Sequence, residues 1–507
     1  MMALLMHRDH DFDVQQSLPW NERALMQDLA LHTLLEAMAR DDKFVHEVAL
    51  KALLTGWRID LETILYRQAI AQDGLNNMTV LRELYDLTVE AIENKRKHLF
   101  GFWGRHPSMV LYGARETMQM FVGMLRRLRG IARAHAARFA SEGFSVLFAM
   151  LERELTDEYF TRIEAHLAEL KFRGGVLISA ELGPGIAGSN YVLHKPRKDE
   201  RHWVRRLFAK RPPVYTFRLA DRDEAGARAL SELRDRGINL VSNALAQSAD
   251  HIDAFFQVLR TELAFYIGCL NLHERLSALG EPTCFPRPQP GGQRRLRCSG
   301  LYDPCLALQM QRGVVGNTVD ADGKNLVIIT GANQGGKSSF LRGVGAAQLM
   351  IQCGMFVAAE SFEGELCTGL VTHYKRDEDA TLKSGKFDEE LARMSEIVDH
   401  LAPNAMLLFN ESFAATNERE GSEIARQVVS ALLEKGIKVF FVTHLHAFAH
   451  DFFERAADRA LFLRAERRPD GTRTFRLIEG EPLSTSHAQD LYERILTPSA
   501  VMIAERG

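Results

Sequence analysis

The chain has 507 residues, enough for two to four domains at roughly 100–200 residues each. Its 46% hydrophobic and 25% charged residues exclude a disordered, collagen-like or disulfide-stapled chain. Lys plus Arg number 63 against 66 Asp plus Glu, a net charge of −3, so any contact with nucleic acid requires a local basic surface.

At the N-terminus, His7, Arg8, Asp9, His10, Asp11 and Asp13 stand where a signal peptide would have its apolar core. No run of about 18 apolar residues follows anywhere, so no membrane span is predicted and the expected location is the cytoplasm. The 6 cysteines have no CxxC spacing and read as reduced thiols. Residues 16–170 read as helix after helix. Residues 24–31, with Leu34, Leu35 and Met38 beyond, repeat apolar side chains at three- and four-residue spacing. Residues 118–138 predict a helix with Met120, Phe121, Met124, Leu125, Leu128 and Ile131 on one stripe; its arginines lie mostly off that stripe.

The texture changes near Phe172. Residues 173–179 are β-prone, Gly183-Pro184-Gly185 signals a turn, and residues 214–219 look like a strand. Between them, residues 194–211 hold 8 Lys and Arg with Trp203 and Phe208 interleaved. That composition suits nonspecific phosphate contact, or equally a solvated charged loop. Helical texture returns from Glu224 to about Leu279, and a Pro- and Gly-rich stretch follows. From about Arg295 the pattern is α/β. Residues 325–330, 405–409 and 438–443 are continuous apolar runs separated by helical stretches, which predicts a mainly parallel sheet.

Gly331-Ala332-Asn333-Gln334-Gly335-Gly336-Lys337-Ser338 fits the phosphate-loop pattern G-x-x-x-x-G-K-[ST], between a strand and a helix. Its glycines let backbone N–H groups turn inward around phosphate oxygens, and the helix N-terminus adds its positive dipole end. Lys337 would neutralise the β- and γ-phosphates, and the Ser338 hydroxyl would ligate Mg²⁺. The second strand ends in Asn410-Glu411, where P-loop ATPases usually carry two carboxylates. Asn410 keeps an oxygen dipole without the charge, which predicts weaker Mg²⁺ binding. Glu411 is the candidate base that orients the attacking water. His444 ends the third strand; it either senses the γ-phosphate or holds the water, or is an ordinary strand-end histidine.

Together these residues resemble the MutS family of mismatch-repair ATPases. Residues 330–339 are similar to the family's T-G-P-N-M-G-G-K-S-T. Residues 354–360 resemble G-x-F-V-P-A-E, and Asn410-Glu411 with Thr416, Asn417, Glu420 and Gly421 sits where the family has D-E-I-G-R-G-T-S-T-x-D-G. Thr443-His444 matches its A-T-H, and residues 271–275 resemble its N-L-A-E-R. The resemblance implies a multidomain protein. An all-α core and lever region would occupy 1–171, a small inserted α/β clamp-like segment 172–224, returning lever helices 225–282, and an ABC-like α/β P-loop ATPase domain 283–507.

It also implies ATP and Mg²⁺ as cofactors. Asn333, Gly335, Gly336, Lys337, Ser338 and Ser339 would hold the nucleotide. Val314 falls at the adenine-stacking position, with Asn317 nearby. Ser338 and Asn410 would face Mg²⁺, and Glu411 and His444 the reacting phosphate. The clamp would grip DNA through Lys195, Arg197, Lys198, Arg201, Arg205, Arg206, Lys210 and Arg211.

The chain also departs from the family pattern. Phe413-Ala414-Ala415 replaces the Gly-Arg-Gly after the acidic pair. The signature S-T-F-x-x-E, which acts on the partner subunit's site, aligns through Phe387 and Glu390; that puts Gly385 at the serine and Ser384 one residue early. Helices begin by about residue 22, leaving no room for the family's N-terminal mismatch-reading domain. The expected function is a DNA-binding, homodimeric ATP-driven clamp in mismatch repair or related repair and recombination. The alternative is a weakly hydrolysing ATP-binding switch or scaffold that engages a protein partner.

Overall fold

The computed structural model describes residues 1–99, 106–195, 215–220, 222–376, 385–456, 458–468 and 472–482. Eight helices come first: α1 (Glu22–Asp28), α2 (Leu31–Ala39), α3 (Lys43–Thr55), α4 (Leu61–Asn76), α5 (Met78–Leu99), α6 (Pro107–His135), α7 (Glu142–Glu154) and α8 (Asp157–Glu169). Asp42, Asp60 and Thr156 accept free amide protons at the starts of α3, α4 and α8, which fixes where those helices begin. The apolar pattern over 24–38 is not one helix. Ala30 takes φ 54 and starts α2 afresh, and the turn lets Leu25, Leu29, Leu31, Leu34 and Leu35 all be buried. The helix expected over 118–138 lies in the longer α6 as far as His135, and Ala136–Arg138 form a 3-10 turn beyond it. Its arginines pair outward: Arg126 with Glu164, Arg127 with Glu90 and Arg129 with Asp157.

The insert is a hairpin of β1 (Leu177–Leu182) and β2 (Gly188–His194), paired antiparallel around the Gly183-Pro184-Gly185 turn. Residues 215–220 are not a strand. Tyr215 and Phe217 are 90% and 78% exposed, and no described strand lies alongside to complete a ladder. Among the described residues of 172–223 there is no α-helix, so this part of the insert is β and not α/β. Helix α9 (Glu224–Ala278) then runs for 55 residues.

The remaining elements are β3 (Arg287–Gln289), β4 (Leu296–Leu301), α10 (Pro304–Met310), β5 (Asn317–Asp320), β6 (Leu326–Thr330), α11 (Lys337–Cys353), β7 (Ser361–Glu365), β8 (Leu370–Tyr374), α12 (Lys386–His400), β9 (Met406–Asn410), α13 (Glu418–Glu434), β10 (Lys438–Val442), α14 (His446–Ala456), β11 (Ala460–Arg467) and β12 (Arg473–Glu479). The larger sheet has the order β12-β11-β6-β10-β9-β8. All its pairings are parallel except that of β12 with β11. Strands β6, β8 and β10 are buried at every position, so they lack the alternation of a half-exposed strand. One face packs Phe409, Phe441 and Phe448 with Val429 and Leu432; Phe409 stacks on Phe441 at 4.7 Å. The smaller sheet has the order β3-β7-β4-β5.

The chain forms two compact units. One comprises residues 1–3, 83–138 and 146–260; the other comprises 4–82, 139–145 and 261–507 and holds both α/β sheets. The protein is thus multidomain and helix-rich, with mixed sheets. No described helix is long and apolar enough to cross a membrane.

Candidate functional site

The loop between β6 and α11 is shaped by glycine. Gly336 is the N-cap of α11 at φ 92, and a Cβ there would lie 3.0 Å from the Phe475 carbonyl oxygen. Gly331 takes φ 112, and its Cβ would meet the Ala465 amide nitrogen at 2.9 Å. Both a left-handed backbone and the absence of a side chain are therefore required. No side chain caps α11. Its N-terminus opens at the end of a parallel strand, a favoured place for an anion.

Lys337 is buried, and its ammonium donates to the carbonyl oxygens of Gly331 at 2.8 Å and Ala332 at 2.9 Å. Burial pushes its pKa down to about 8; Glu411 opposes that shift and Arg473 adds to it. The Ser338 hydroxyl donates to Asn410 Oδ1 at 2.8 Å, which joins the starts of α11 and of the turn after β9. Glu411 follows at φ 55, its amide donating to the Val442 carbonyl at 2.9 Å. Its carboxylate lies 3.2 Å from His444 Nε2, which in turn lies 3.5 Å from the Lys337 ammonium. The hydrogen bond with His444 and the charges of Lys337 and Lys375 hold the Glu411 carboxyl below the ordinary carboxylate range, against the effect of burial. A carboxylate kept ionised can accept a proton from water.

The predicted residues Lys337, Ser338, Asn410, Glu411 and His444 thus meet at the ends of β6, β9 and β10. Gly335 is buried in the loop, while Asn333 is exposed on it. Beside the loop is a cavity of about 340 Å³ lined by Leu301, Tyr302, Met310, Val314, Ser339 and Phe475, among others. Asn317 also borders it, but its amide is engaged by β12: Oδ1 accepts from the Leu477 amide at 2.7 Å and Nδ2 donates to the Phe475 carbonyl at 3.4 Å. Lys195 is exposed and paired with Glu169 at 2.6 Å. Arg197, Lys198, Arg201, Arg205, Arg206, Lys210, Arg211 and Ser384 lie outside the described residues.

Models of two protein families match the chain: the MutS2 N-terminal domain over residues 59–279 and MutS domain V over residues 327–505. The chain belongs to the MutS family. Among curated MutS-family proteins, the DNA mismatch repair protein MutS of Chloroflexus aurantiacus is 27% identical over 225 residues, 43% of this chain and 23% of that protein. Endonuclease MutS2 of Thermus thermophilus is 28% identical over 242 residues, 46% of this chain and 31% of that protein. MutS protein homolog 4 of Homo sapiens is 24% identical over 239 residues, 46% of this chain and 25% of that protein. The matches therefore span less than a third of these MutS-family relatives' length.

Sequence reasoning missed Phe475 and Arg473 of this MutS-family site, and did not foresee that Phe413 and Glu390 meet. Phe475, half-exposed at φ 60 on β12, lines the cavity beside Gly336 together with Tyr302 and Phe340. No pattern near the loop announces it. Arg473 Nη1 donates to Gln334 Oε1 at 2.8 Å, placing a cation beside the loop. Behind Glu411, Phe413 is a second non-glycine residue at positive φ, 62, and its amide donates to Glu390 Oε1 at 2.7 Å. Each such residue costs of order 1–3 kcal/mol and persists because its surroundings hold it.

Proposed function

We propose that this MutS-family chain binds ATP with Mg²⁺ at the 331–339 loop, hydrolyses it slowly, and uses the nucleotide to change its grip on DNA in mismatch repair or a related repair process. The supporting observation is the meeting of Lys337, Ser338, Asn410, Glu411 and His444 at the open ends of parallel strands around an uncapped helix. The residues fit the nucleotide. Gly331, Gly335 and Gly336 let the loop turn tightly against Ala465 and Phe475, which leaves its amides at the N-terminus of α11. The Lys337 ammonium rests on loop carbonyls that a phosphate group can replace as its partner. The 340 Å³ cavity offers the Phe475 ring to a base. Ser338 and Asn410 would hold Mg²⁺, which supplies charge neutralisation at the phosphates. Glu411 accepts the proton of the attacking water, and His444 keeps that carboxylate ionised.

The wider reading follows the family. Residues 1–171 and 225–282 act as core and lever, 172–224 as the DNA-gripping clamp, and 283–507 as an ATPase domain that works as a homodimer, with Ser384 reaching the partner's nucleotide. Isothermal calorimetry with ATP and Mg²⁺ tests the base of this reading; no affinity for adenine nucleotides would end it. In single-turnover hydrolysis, Glu411→Gln is expected to lower the rate about 100-fold, within the range for loss of a general base.

One observation favours a second reading. Ser338 donates to a neutral amide, not to a carboxylate, so the Mg²⁺ position lacks its usual charge. In this reading the chain is an ATP-binding switch that scarcely hydrolyses and engages a protein partner. Tight ATP binding without any measurable turnover, in wild type and Glu411→Gln alike, selects it.

A further inference from the structure

The turn that carries Glu411 is fastened from behind by one histidine. His373, on β8, is fully buried. Its Nδ1 lies 2.7 Å from Ser412 Oγ, and its Nε2 lies 3.1 Å from the carbonyl oxygen of Glu390 on α12. The Ser412 hydroxyl lies 2.6 Å from the carbonyl oxygen of His373 itself. Helix α12 touches the same turn again, where Glu390 Oε1 accepts the Phe413 amide, and Glu390 Oε2 is buried without a hydrogen-bond partner.

Three hydrogen bonds at these contacts need three protons. The hydroxyl carries one and a neutral imidazole carries one. Only an imidazolium supplies the third. Burial and the facing guanidinium groups of Arg393 and Arg376 push the His373 pKa down to about 4, outweighing the pull of the two backbone carbonyls, so the ring is neutral at pH 7. The junction is therefore one proton short, and two arrangements share the deficit. With the proton on Nδ1, the ring donates to Ser412, the hydroxyl donates to the His373 carbonyl, and a bare Nε2 faces the Glu390 carbonyl. With the proton on Nε2, the ring holds Glu390 on α12, and Ser412 turns its proton from the β8 carbonyl to Nδ1.

We propose that His373 is a positioning residue whose tautomer decides whether helix α12 is fastened to the turn that presents Glu411 by a second contact beside the Glu390–Phe413 bond. The proposal rests on the reading of Glu411 as the water-activating base. In the Nε2–H state, α12 and the Glu411 turn move as one body. In the Nδ1–H state, the turn is tied to β8, and α12 keeps Glu390 Oε1 on the Phe413 amide and Arg393 Nη1 on the Tyr374 carbonyl but loses the bond through the ring. A shift of α12 thereby reaches the strained turn through the Glu390–Phe413 bond in either state, and through the ring as well only in the Nε2–H state.

Two substitutions separate the halves. The amide of His373→Asn reaches the position of Nδ1 and keeps only the Ser412 contact; that of His373→Gln reaches the position of Nε2 and keeps only the Glu390 contact. The kcat and KM of ATP hydrolysis are compared with melting temperatures as the control. The expected result is a kcat about tenfold lower for His373→Asn than for His373→Gln, the equivalent of one buried hydrogen bond, with KM alike. Ser412→Ala, which leaves Nδ1 without a partner and favours Nε2–H, is expected to fall on the His373→Gln side. It carries the test if either histidine variant fails to fold. Equal kcat values for the two histidine variants, a loss confined to KM, or a Ser412→Ala kcat matching that of His373→Asn overturns the tautomer role alone. A wild type that binds no ATP, or binds it without turnover, instead overturns the reading of Glu411, and the positioning role falls with it.

Discussion

Asn410 and Lys337 set the electrostatics of the proposed nucleotide site from opposite sides. Ser338 and Asn410 already share a hydrogen bond of 2.8 Å, so a carboxylate at 410 fits the same space and adds a full charge where Mg²⁺ would sit. Asn410→Asp is expected to lower the Mg²⁺ concentration for half-maximal hydrolysis several-fold and to raise turnover. An Mg²⁺ titration checks this, and an unchanged midpoint removes Asn410 from the metal shell. Lys337 yields a pH prediction. Its pKa stands near 8 because it is buried, and a triphosphate beside it raises that value again. ATP binding therefore takes up a proton once the pH approaches 8. Affinity is complete below that point and declines as pH rises through it, by up to about tenfold per unit. Calorimetry from pH 7 to 9 in buffers of different ionisation heat measures both the decline and the uptake. A flat profile would mean that the loop lysine does not meet the phosphates.

At the scale of elements, the N-terminal segment is fastened to helix α9. The Leu5 and Met6 amides donate to Glu262 Oε2 at 2.5 and 2.6 Å, and the Phe12 amide donates to Oε1 at 2.6 Å. Arg67 donates to the Met6 carbonyl at 2.7 Å, and its stem packs against Gly354 at the end of α11. A glutamine at 262 turns an NH₂ group toward an amide donor. Glu262→Gln is therefore expected to cost about 1–3 kcal/mol, read as a lower melting temperature. Burial also pushes the Glu262 pKa up to about 7, against the pull of its three amide donors. Because the folded value lies above the ordinary 4.5, this group's contribution to stability is full below about pH 4.5 and is lost as pH rises through about 7. That part of the pH dependence of melting should vanish in Glu262→Gln.

The same segment marks the limit of what the sequence displays. The strands at 326–330, 406–410 and 438–442 are legible because fully buried parallel strands are unbroken apolar runs. The loop at 331–338 is legible because its glycines are spaced by phosphate geometry. The N-terminal residues read only as a polar stretch, since their partner Glu262 lies 250 positions beyond Phe12. Residues 214–219 have strand composition, yet residues 215–220 lack the neighbour that a strand needs. Asn317, read as a nucleotide contact, borders the cavity and also holds β12, and β12 brings in Phe475, which no local pattern could reveal.

At the scale of the whole molecule, the net charge of −3 means that the proposed DNA affinity requires a local basic surface, and the 8 cations of residues 194–211 are the candidate. Each phosphate neutralised contributes about −0.9 to the slope of log K against log salt on duplex DNA. Arg205→Gln and Arg206→Gln are each expected to make the slope shallower by about one unit if both arginines meet phosphates. Lys195 should behave differently. It is already paired with Glu169 at 2.6 Å and can reach a phosphate only by giving that pair up. The pair is exposed and weak, so it lowers the contribution of Lys195 without abolishing it. Lys195→Gln should therefore change the slope less than either arginine substitution, while Glu169→Gln should strengthen binding at low salt. Fluorescence anisotropy on one duplex across a salt series reads all four variants. A slope near zero in the wild type would mean that no phosphates are neutralised at all, and a slope unchanged in both arginine variants would place the contacts outside this run. A full unit lost with Lys195→Gln would mean that Glu169 does not restrain it.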